Sequence, residues 1–252
     1  TRTPIISFKN FSFQYRAQKQ PTLHDINLDI YPGERVLIAG PSGSGKSTLA
    51  ACINGLNPFS YPGECTGTLT VDGVDAPHSS IFELAGHVGT VLQDPDGQFI
   101  GLTVGEDIAF ALENSCTPQD EMHAITRHAA ELVGIENHLG YAPHELSGGQ
   151  KQRLSIARAV YRHPEILIFD DSFSALDFKT DRAVRDALEK EAKDSTKLIV
   201  AQRIGTIMNA DRIIVLDDGK VVGQGTHEEL LDTCEVYRQI AESQLSEDEL
   251  KR

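Results

Sequence analysis

The stretch RVLIAGPSGSGKSTLAACIN, residues 35–54, constrains this chain more than any other. It reads as a short apolar strand over Val36–Ala39, a glycine-rich turn, and a helix that is predicted to begin near Lys46. The turn matches the pattern G-x-x-x-x-G-K-[ST] at all four of its fixed positions, which are Gly40, Gly45, Lys46 and Ser47. Loops of this pattern wrap around phosphate groups, so the sequence predicts a binding site for a nucleoside triphosphate.

The chemistry of phosphate binding explains these residue types. Glycines allow backbone N–H groups to point inwards, where a Cβ would clash with a phosphate, and the following helix N-terminus adds partial positive charge. The pattern places Lys46 against the β and γ phosphates and the Ser47 hydroxyl on Mg²⁺. An ordinary Gly/Ser-rich loop is the alternative, and the complete match between a strand and a helix disfavours it. The predicted nucleotide-binding residues here are Gly40, Ser42, Gly43, Ser44, Gly45, Lys46, Ser47 and Thr48.

Composition narrows the class of protein. The chain has 252 residues, of which 40% are hydrophobic, enough for one large domain or two small ones. Its net charge of −14 argues against nucleic acid as the main partner. The sequence predicts neither a membrane span nor a secretory leader, and four widely spaced cysteines favour a reduced, cytosolic compartment. Part of the acidic excess lies in residues 242–249, which are predicted to form a solvated tail.

Apolar periodicity predicts strands alternating with helices, hence an α/β fold with a mixed, largely parallel sheet and a helical insertion. Thr226-His227-Glu228-Glu229 fits a capping box that opens a last helix, which is the structural interpretation of His227. The predicted strands cover residues 5–13, 28–30, 68–71, 88–92, 166–169, 197–201, 213–216 and 221–222, and the last two flank a predicted hairpin turn at Asp217-Asp218-Gly219. The predicted helices cover residues 104–112, 121–133, 150–162 and 180–194.

Two further motifs are typical of sites that bind phosphate or the Mg²⁺ that accompanies it. The apolar strand ILIFD ends in Asp170, which is typical of an aspartate that holds Mg²⁺ through water, although a strand ending in a surface aspartate is the alternative. The segment LSGGQ places Ser147 at the N-cap of a helix and leaves two glycine N–H groups bare. It is a second anion site in a chain whose first loop already binds a triphosphate.

With these motifs the chain resembles the ATPase domains of ABC transporters over essentially its whole length. The resemblance implies an α/β phosphate-loop NTPase of ABC type, with an N-terminal antiparallel β-subdomain, an inserted helical subdomain, and ATP and Mg²⁺ as cofactors. It implies one domain over residues 1–252, with a nucleotide-binding core at about 1–96 and 163–252 and a helical signature subdomain at about 97–162. The residues that would cover the γ-phosphate held by the other subunit of a head-to-tail dimer are Ser147, Gly148, Gly149 and Gln150.

The resemblance assigns further roles residue by residue. Tyr15, in FSFQYR, resembles the aromatic residue that stacks on adenine, with an ordinary edge-strand tyrosine as the alternative. Gln93, in VLQDPDGQF, resembles the glutamine that contacts Mg²⁺ and links the nucleotide to the helical insertion. Ser47 and Asp170 complete the implied metal ligands, and Lys46 is also implied in catalysis. Residues 174–177, SALD, resemble the loop that crosses the dimer interface.

Two positions depart from the family pattern. Asp171 stands where the family has a glutamate as general base, so its carboxylate sits one C–C bond, about 1.5 Å, further back. Gln202 stands where the family has a histidine at the γ-phosphate; its amide can hydrogen-bond but cannot carry charge. A displacement of about 1 Å can cost roughly 10²-fold in rate. The pair resembles the degenerate half of two-site exporters and predicts a site that binds ATP and hydrolyses it slowly.

The two ends of the chain resemble different branches of the family. Residues up to about Gln150 resemble the ATPases of energy-coupling-factor and cobalt importers, whereas residues from about Leu154 resemble multidrug-exporter domains. We interpret this as a hybrid joined near the signature helix, which is the helix that Ser147 caps, and the hybrid could be engineered. The alternative is a natural protein whose sequence has drifted.

Three functions compete. The first is an ATP-hydrolysing motor that pairs with the same or another ABC ATPase domain and moves transmembrane subunits through residues 93–105, on the cytoplasmic face of a membrane. The second is an ATP-dependent clamp that barely turns over and completes a partner's competent site. The third, a chromosome-maintenance or DNA-repair ATPase, is disfavoured by the short insertion and the charge of −14.

Overall fold

The computed structural model describes residues 2–174, 176–204, 210–246 and 250. The chain divides into two compact units, the first formed by residues 1–88 and 196–252 and the second by residues 89–195. Both units contain strands and helices, which confirms the predicted α/β class. Within the described ranges, no helix is both long enough and apolar enough to span a membrane.

The first unit holds most of the strands. Its strands are β1 (Ile6–Tyr15), β2 (Leu23–Ile30), β3 (Arg35–Ala39), β4 (Gly63–Val71), β5 (Val74–Asp75), β8 (Thr196–Val200), β9 (Arg212–Asp217) and β10 (Lys220–Gly225). Its helices are α1 (Lys46–Asn54), α2 (Leu56–Phe59), α3 (Ile81–Ala85), α8 (His227–Thr233) and α9 (Glu235–Gln244). The second unit holds the other strands and α-helices. Those elements are β6 (Val88–Val91, from Gly89 onward), α4 (Val104–Asn114), α5 (Gln119–Val133), α6 (Gly148–Val160), β7 (Ile166–Asp170) and α7 (Phe178–Glu191).

The first unit contains the predicted antiparallel β-subdomain. Its strands run in the order β2-β1-β4-β5, and the pairs of β1 with β2, β1 with β4, and β4 with β5 are all antiparallel. Strand β1 buries Ile6, Phe8, Phe11 and Phe13, because bulges between Phe8 and Phe13 shift the alternation of its faces. This apolar face gives the subdomain its core.

The strand that leads into the glycine-rich turn is central and fully apolar. β3 is flanked by β8 and β9, both parallel to it, and β9 pairs antiparallel with β10. Val36, Leu37 and Ile38 are completely buried, as expected for a parallel strand that is covered on both faces. The mixed, largely parallel character predicted for the core is therefore confirmed.

Most predicted element boundaries hold within three residues, but β2 and β4 each begin five residues earlier than predicted. Helix α6 begins at Gly148 because Ser147 caps it, and α7 begins at Phe178 because Asp177 caps it. The capping box at Thr226 is confirmed, with the Thr226 hydroxyl accepting from the Glu229 N–H.

The prediction of a solvated tail from residue 242 is wrong at its start. Glu242, Ser243 and Gln244 belong to α9, and Leu245 beyond it is buried. Tyr237, Ala241 and Leu245 recur every four residues and pack inwards, so the charged residues between them occupy the outer face of a helix. Glu247 to Glu249 lie outside the described residues.

Candidate functional site

The glycine-rich turn starts where β3 ends, and its first glycine cannot be replaced without displacement. Gly40 has φ +155°, and a Cβ there would lie 2.2 Å from the Leu216 carbonyl oxygen and 2.7 Å from the Ser44 Oγ. The main chain is thus pressed against β9 as it turns. Gly45 has φ +103° and stands immediately before α1, so the helix has no side-chain cap.

The entrance to α1 has the electrostatics of an anion site. Lys46 is buried, and its Nζ donates to the carbonyl oxygens of Gly40 at 2.7 Å and Pro41 at 2.8 Å, which draws the ammonium group into the turn. The first turn of α1 carries no acidic residue. The Ser44 Oγ is buried and has no hydrogen-bond partner among the described residues. A bare helix N-terminus, a cation and an unsatisfied hydroxyl together fit a phosphate.

The remaining predicted residues of the turn divide by exposure. Ser42, Gly43 and Ser47 are exposed, whereas Thr48 points inwards and is buried. An oxygen donor such as the Ser47 hydroxyl is the kind of ligand that Mg²⁺ prefers. The turn therefore offers a phosphate cradle with one outward hydroxyl at its rim.

The structure places Tyr15 beside the turn's helix. Its hydroxyl lies 3.0 Å from the Thr48 Oγ1, and the buried Asn57 donates to it through Nδ2 at 3.1 Å. The Tyr15 ring packs edge-on against Phe13, with 4.8 Å between the centroids. Two predicted nucleotide-binding residues that are distant in sequence, Tyr15 and Thr48, are thus brought together. Asn57, which joins them, was missed because nothing in its local pattern marks it.

A second missed residue supports the turn from the β9–β10 hairpin. The Gly219 N–H donates to the Ser44 carbonyl oxygen at 3.0 Å, and the Gly219 carbonyl accepts from the His24 N–H at 2.8 Å. Gly219 has φ +74°, and a Cβ there would lie 2.2 Å from the Thr22 carbonyl oxygen. The sequence predicts this hairpin turn from Asp-Asp-Gly, but its contact with the phosphate loop is not encoded locally.

Replacing Gly219 with alanine is expected to weaken both stability and ATP affinity. The new methyl group would meet the Thr22 carbonyl and push the hairpin away from Ser44. We expect about 1–3 kcal/mol of lost stability beyond the strain of the left-handed backbone itself. Thermal unfolding and titration with a fluorescent ATP analogue would measure the two effects.

Gly73→Ala is the matched control for this substitution. Gly73 also follows an aspartate in a hairpin turn, with φ +79°, but a Cβ there meets nothing within 4 Å. Both variants carry the same backbone strain, so only the contact differs. If Gly73→Ala lowers ATP affinity as much as Gly219→Ala does, Gly219 has no special role in supporting the loop.

In the second unit, two acidic residues end a buried strand. Residues Ile166 to Phe169 of β7 are buried, and Asp170 and Asp171 at its end are both half-buried. Asp171 has φ +50°, a left-handed conformation that aspartate tolerates better than most side chains. Its carbonyl accepts from the Ser174 Oγ at 3.0 Å, which closes a tight turn after the strand.

Two buried side chains of the same unit hold the main chain just before Gln93. The Ser172 Oγ donates to the Val91 carbonyl oxygen at 2.6 Å, and the Gln152 Nε2 donates to the Leu92 carbonyl oxygen at 3.1 Å. Ser172 follows the two aspartates, and Gln152 belongs to α6. Gln93 itself is exposed. A polar side chain on the signature helix therefore anchors the segment that carries Gln93.

The signature segment has the geometry that its sequence predicts. The Ser147 Oγ accepts from the Gln150 N–H at 3.3 Å and the Gln150 Oε1 accepts from the Ser147 N–H at 2.9 Å, a complete capping box. Ser147 and Gly148 are exposed, and Gly149 and Gln150 are half-buried. The Gln150 Nε2 also lies 3.2 Å from the His138 Nε2, which holds its amide in place. The result is an exposed, rigid helix N-terminus.

Residues 174–177 lead into α7, and Ala175 of this segment lies outside the described residues. The Asp177 side chain caps α7, accepting from the Thr180 Oγ1 at 2.6 Å and from the Thr180 N–H at 3.0 Å. The hydrogen bond from the Thr180 hydroxyl is the main cause that lowers the pKa of Asp177 below its ordinary value, and the hydrogen bond from the Thr180 N–H is the second. This carboxylate is therefore fixed as an anion at a helix N-terminus.

Gln202, in the first unit, follows β8. Its side chain is exposed, and its carbonyl oxygen accepts from the Gln244 Nε2 at 2.6 Å. The main chain at this position is thus tied to α9, a contact between distant parts of the chain that no sequence pattern indicates.

A family model described as "ABC transporter" matches residues 23–174 of the chain. The match covers the phosphate loop and the signature segment. The chain belongs to the ABC transporter family. It is an ATP-binding domain of that family, and the resemblance stated from its motifs is confirmed.

Relatives of this ABC domain agree with the assignment. A protein of Lactiplantibacillus plantarum, provisionally named an ABC transporter ATP-binding protein, is 50% identical over 232 residues, 90% of this chain and 41% of that protein. A protein of Clostridium perfringens with the same kind of name is 48% identical over 91% of this chain and 41% of its own length. The ABC domain therefore spans about two fifths of these curated relatives.

A solved structure supports the ABC fold. The structure of a bacterial Atm1-family ABC exporter with ATP bound has a TM-score of 0.84 to this chain at 31% identity, covering 97% of this chain and 43% of that one. The likeness extends over nearly the whole ABC domain, including its β-subdomain and its signature helix.

Proposed function

We propose that this ABC domain is an ATP-hydrolysing motor that dimerises head to tail around two Mg-ATP and drives transmembrane subunits at the cytoplasmic face of a membrane. The observation that carries the proposal is the pairing of two anion sites in one chain. One is the cradle around Lys46 and Ser44; the other is the exposed, capped helix N-terminus at Ser147. A single triphosphate needs only one cradle, so the second site is suited to a nucleotide held by another copy or relative.

In this motor each of the chain's own groups would have a separate role. Lys46 and the N–H groups of the phosphate loop bind the phosphates, and Tyr15 stacks on the adenine. Mg²⁺, held by Ser47, Gln93 and Asp170, would neutralise phosphate charge; hydroxyl, amide and carboxylate oxygens are the donors that this ion prefers. Asp171 would hold the proton of the attacking water, and Gln202 would hydrogen-bond the γ-phosphate. Across the dimer, residues 147–150 would cover that phosphate.

The domain organisation is proposed along the same lines. One ABC ATPase domain covers residues 1–252, with a nucleotide-binding core at about 1–96 and 163–252. A helical signature subdomain at about 97–162 carries the second anion site. Residues 174–177 would reach the partner domain in the dimer.

The segment proposed to meet the transmembrane subunits exposes two large apolar side chains and is held in place by hydrogen bonds from below. Ile100 and Leu102 are 65% and 81% exposed, large fractions for such side chains. Beneath them, the buried Asp107 accepts from the Ile100 N–H at 2.7 Å and from the Gly101 N–H at 3.0 Å. Arg158, on the signature helix, lies 3.4 Å from Asp107 and donates to the Gln98 carbonyl oxygen at 3.0 Å. Movement of this segment would therefore be transmitted to the signature helix.

Slow hydrolysis is part of the proposal. Asp171 replaces a longer carboxylate and Gln202 replaces a cation-forming side chain, at the two positions nearest the chemistry. Each change leaves binding groups in place and weakens only the groups that act on water and on the transferred phosphate. The domain is proposed to bind ATP well and to turn it over slowly.

The clamp hypothesis is the second candidate, and the same two residues favour it. A domain that barely hydrolyses at its own loop still presents an intact Ser147 segment, which could complete a competent site on a different ABC domain. Steady-state turnover of the purified chain alone separates the candidates. A motor turns over by itself, whereas a clamp requires the other domain.

One experiment tests the ATP binding that both candidates share and the self-association that is proposed for the motor. We expect the purified chain to bind Mg-ATP and, on doing so, to double its mass in light scattering coupled to size-exclusion chromatography. Lys46→Ala should abolish both effects, because the loop loses the cation that binds the phosphates. Lys193→Ala, at an exposed lysine near the end of the second unit, is the control and should change neither. A wild-type chain that ignores ATP would overturn the proposal.

The hybrid origin is proposed separately. Relatives that align over about 90% of the chain are expected for a hybrid and for a drifted natural protein alike, because both parts share one fold. The proposal rests on resemblance: LIFDDSFSALDFKTD and LIVAQRI resemble exporter domains, whereas residues up to about Gln150 resemble importer ATPases, which supports a junction near the signature helix. A genome that encodes this chain as one native reading frame would rule out an engineered hybrid.

A further inference from the structure

Gln244, at the end of α9, makes two hydrogen bonds to the main chain that follows β8. Its Nε2 donates to the Gln202 carbonyl oxygen at 2.6 Å, and its Oε1 accepts from the Ile204 N–H at 2.7 Å. One amide side chain therefore satisfies a backbone acceptor and a backbone donor two residues apart. Both bonds are short, and together they fix the direction of the main chain on either side of residue 203.

The helix that carries Gln244 is itself firmly packed. Tyr237, Ala241 and Leu245 are buried in one cluster that also contains Ile204 and Ala39. Burial raises the pKa of Tyr237 to about 12, and its hydroxyl lies 2.7 Å from the His227 Nδ1. The segment after β8 is thus held twice, through the Ile204 side chain in the core and through Gln244 at the main chain.

The same cluster reaches the phosphate loop. Ala39 is the last residue of β3 and immediately precedes Gly40. The main chain at Gly40 and at Gln202 is therefore close in sequence to residues that pack against α9. The hydrogen bonds of Gln244 fix the main chain at Gln202 relative to this helix.

We propose that Gln244 is a positioning residue that fixes Gln202 so that its side-chain amide meets the terminal phosphate of ATP. The inference rests on the proposed function, since Gln202 is assigned to that phosphate there. Gln244 touches no substrate; it acts through the main chain of residues 202–204. ADP lacks the terminal phosphate, so Gln244 should affect the binding of ATP and leave that of ADP alone.

Substitutions at Gln244 separate its two hydrogen bonds. Gln244→Met removes both at similar length and helix propensity, whereas Gln244→Glu keeps an acceptor for the Ile204 N–H and loses the donor to the Gln202 carbonyl. We expect both variants to lower the ratio of ATP affinity to ADP affinity by roughly 3- to 10-fold, the effect of one hydrogen bond. Amide exchange at Ile204 should accelerate in Gln244→Met and stay slow in Gln244→Glu.

Gln239→Met is the matched control. Gln239 lies on the same helix and is exposed, and among the described residues its side chain bonds within the helix, to the Glu235 Oε1 at 3.3 Å. It should leave the affinity ratio unchanged. Merely unfolding the chain would weaken ATP and ADP binding together, so a change confined to ATP marks positioning.

A double-mutant cycle decides whether Gln244 acts through Gln202. In a Gln202→Ala background, adding Gln244→Met should change the affinity ratio by less than about twofold, because the side chain to be positioned is absent. An undiminished effect there, or an unchanged ratio in Gln244→Met, would overturn the inference while leaving the proposed function intact. A wild-type chain that binds ATP and ADP equally would also overturn it. Loss of binding to both nucleotides in the wild-type chain would instead contradict the proposed function.

Discussion

The double variant Asp171→Glu, Gln202→His is expected to raise steady-state ATP turnover by roughly 10²-fold over the wild-type chain. Glutamate extends the carboxylate by one C–C bond towards the attacking water, and histidine supplies a group that can become positively charged beside the γ-phosphate. Because neither change touches the phosphate loop, the affinity for ATP should stay within a few-fold. The gain should therefore appear in kcat and not in KM.

A stability cost should accompany the gain in rate. Asp171 has φ +50°, and glutamate accepts the left-handed region less readily than aspartate. We expect a loss on the order of 1 kcal/mol, which corresponds to a fall of about 2–4 °C in Tm for a chain of this size. Faster turnover in a slightly less stable protein is hard to attribute to better folding.

The control for this variant is Asp186→Glu, Gln239→His, the same substitutions at exposed positions of α7 and α9. It should leave turnover unchanged. Turnover of the double variant that equals the wild-type value would show that Asp171 and Gln202 do not limit hydrolysis, and the slow-motor proposal would fail. The two single variants then tell which position matters more, since residues acting on one transition state are not expected to combine additively.

Local patterns were sufficient for the parts of the site that are contiguous in sequence. Neighbours within a few residues determine the phosphate loop, the N-cap at Ser147, the capping box at Thr226 and the buried strand before Asp170, so spacing alone predicts these features. For the same reason the class of fold and most of its strands could be predicted.

The parts that could not be predicted depend on pairs that are distant in sequence. Each of them depends on polar contacts that form only once the chain has folded: Gly219 under Ser44, Asn57 between Tyr15 and Thr48, and Gln244 on Gln202. The role of Asp107 could not be predicted for another reason: it is an acidic residue within an apolar helix pattern, and it is buried beneath an exposed loop. The prediction of a solvated tail was wrong at its start because composition does not distinguish acidic residues on the exposed face of a helix from acidic residues in a solvated tail.

Mixing two inactive variants is expected to restore ATP hydrolysis if the site is shared between protomers. Lys46→Met removes the cation that binds the phosphates and leaves the signature segment, residues 146–150, intact. Ser147→Asp disrupts that segment and leaves the phosphate loop intact. Each alone should lose at least about 10²-fold in turnover, comparable to removing one key transition-state contact. In a mixed dimer the intact loop of one chain meets the intact signature of the other, so up to one complete site is rebuilt. The faster Asp171→Glu, Gln202→His background makes the recovery measurable.

The choice of aspartate at position 147 keeps the test specific to charge. Aspartate caps helices as well as serine does, so α6 should remain folded, but its carboxylate would repel a γ-phosphate brought against it. Ser147→Asn caps equally well without charge and should retain most of the turnover. Were the signature to act on its own chain's loop, no combination of the two inactive variants would contain a complete site, and the mixture would stay as inactive as its components. Recovery that grows with the fraction of mixed dimer, and vanishes when both chains carry Ser147→Asp, is the result that a head-to-tail ATP sandwich requires.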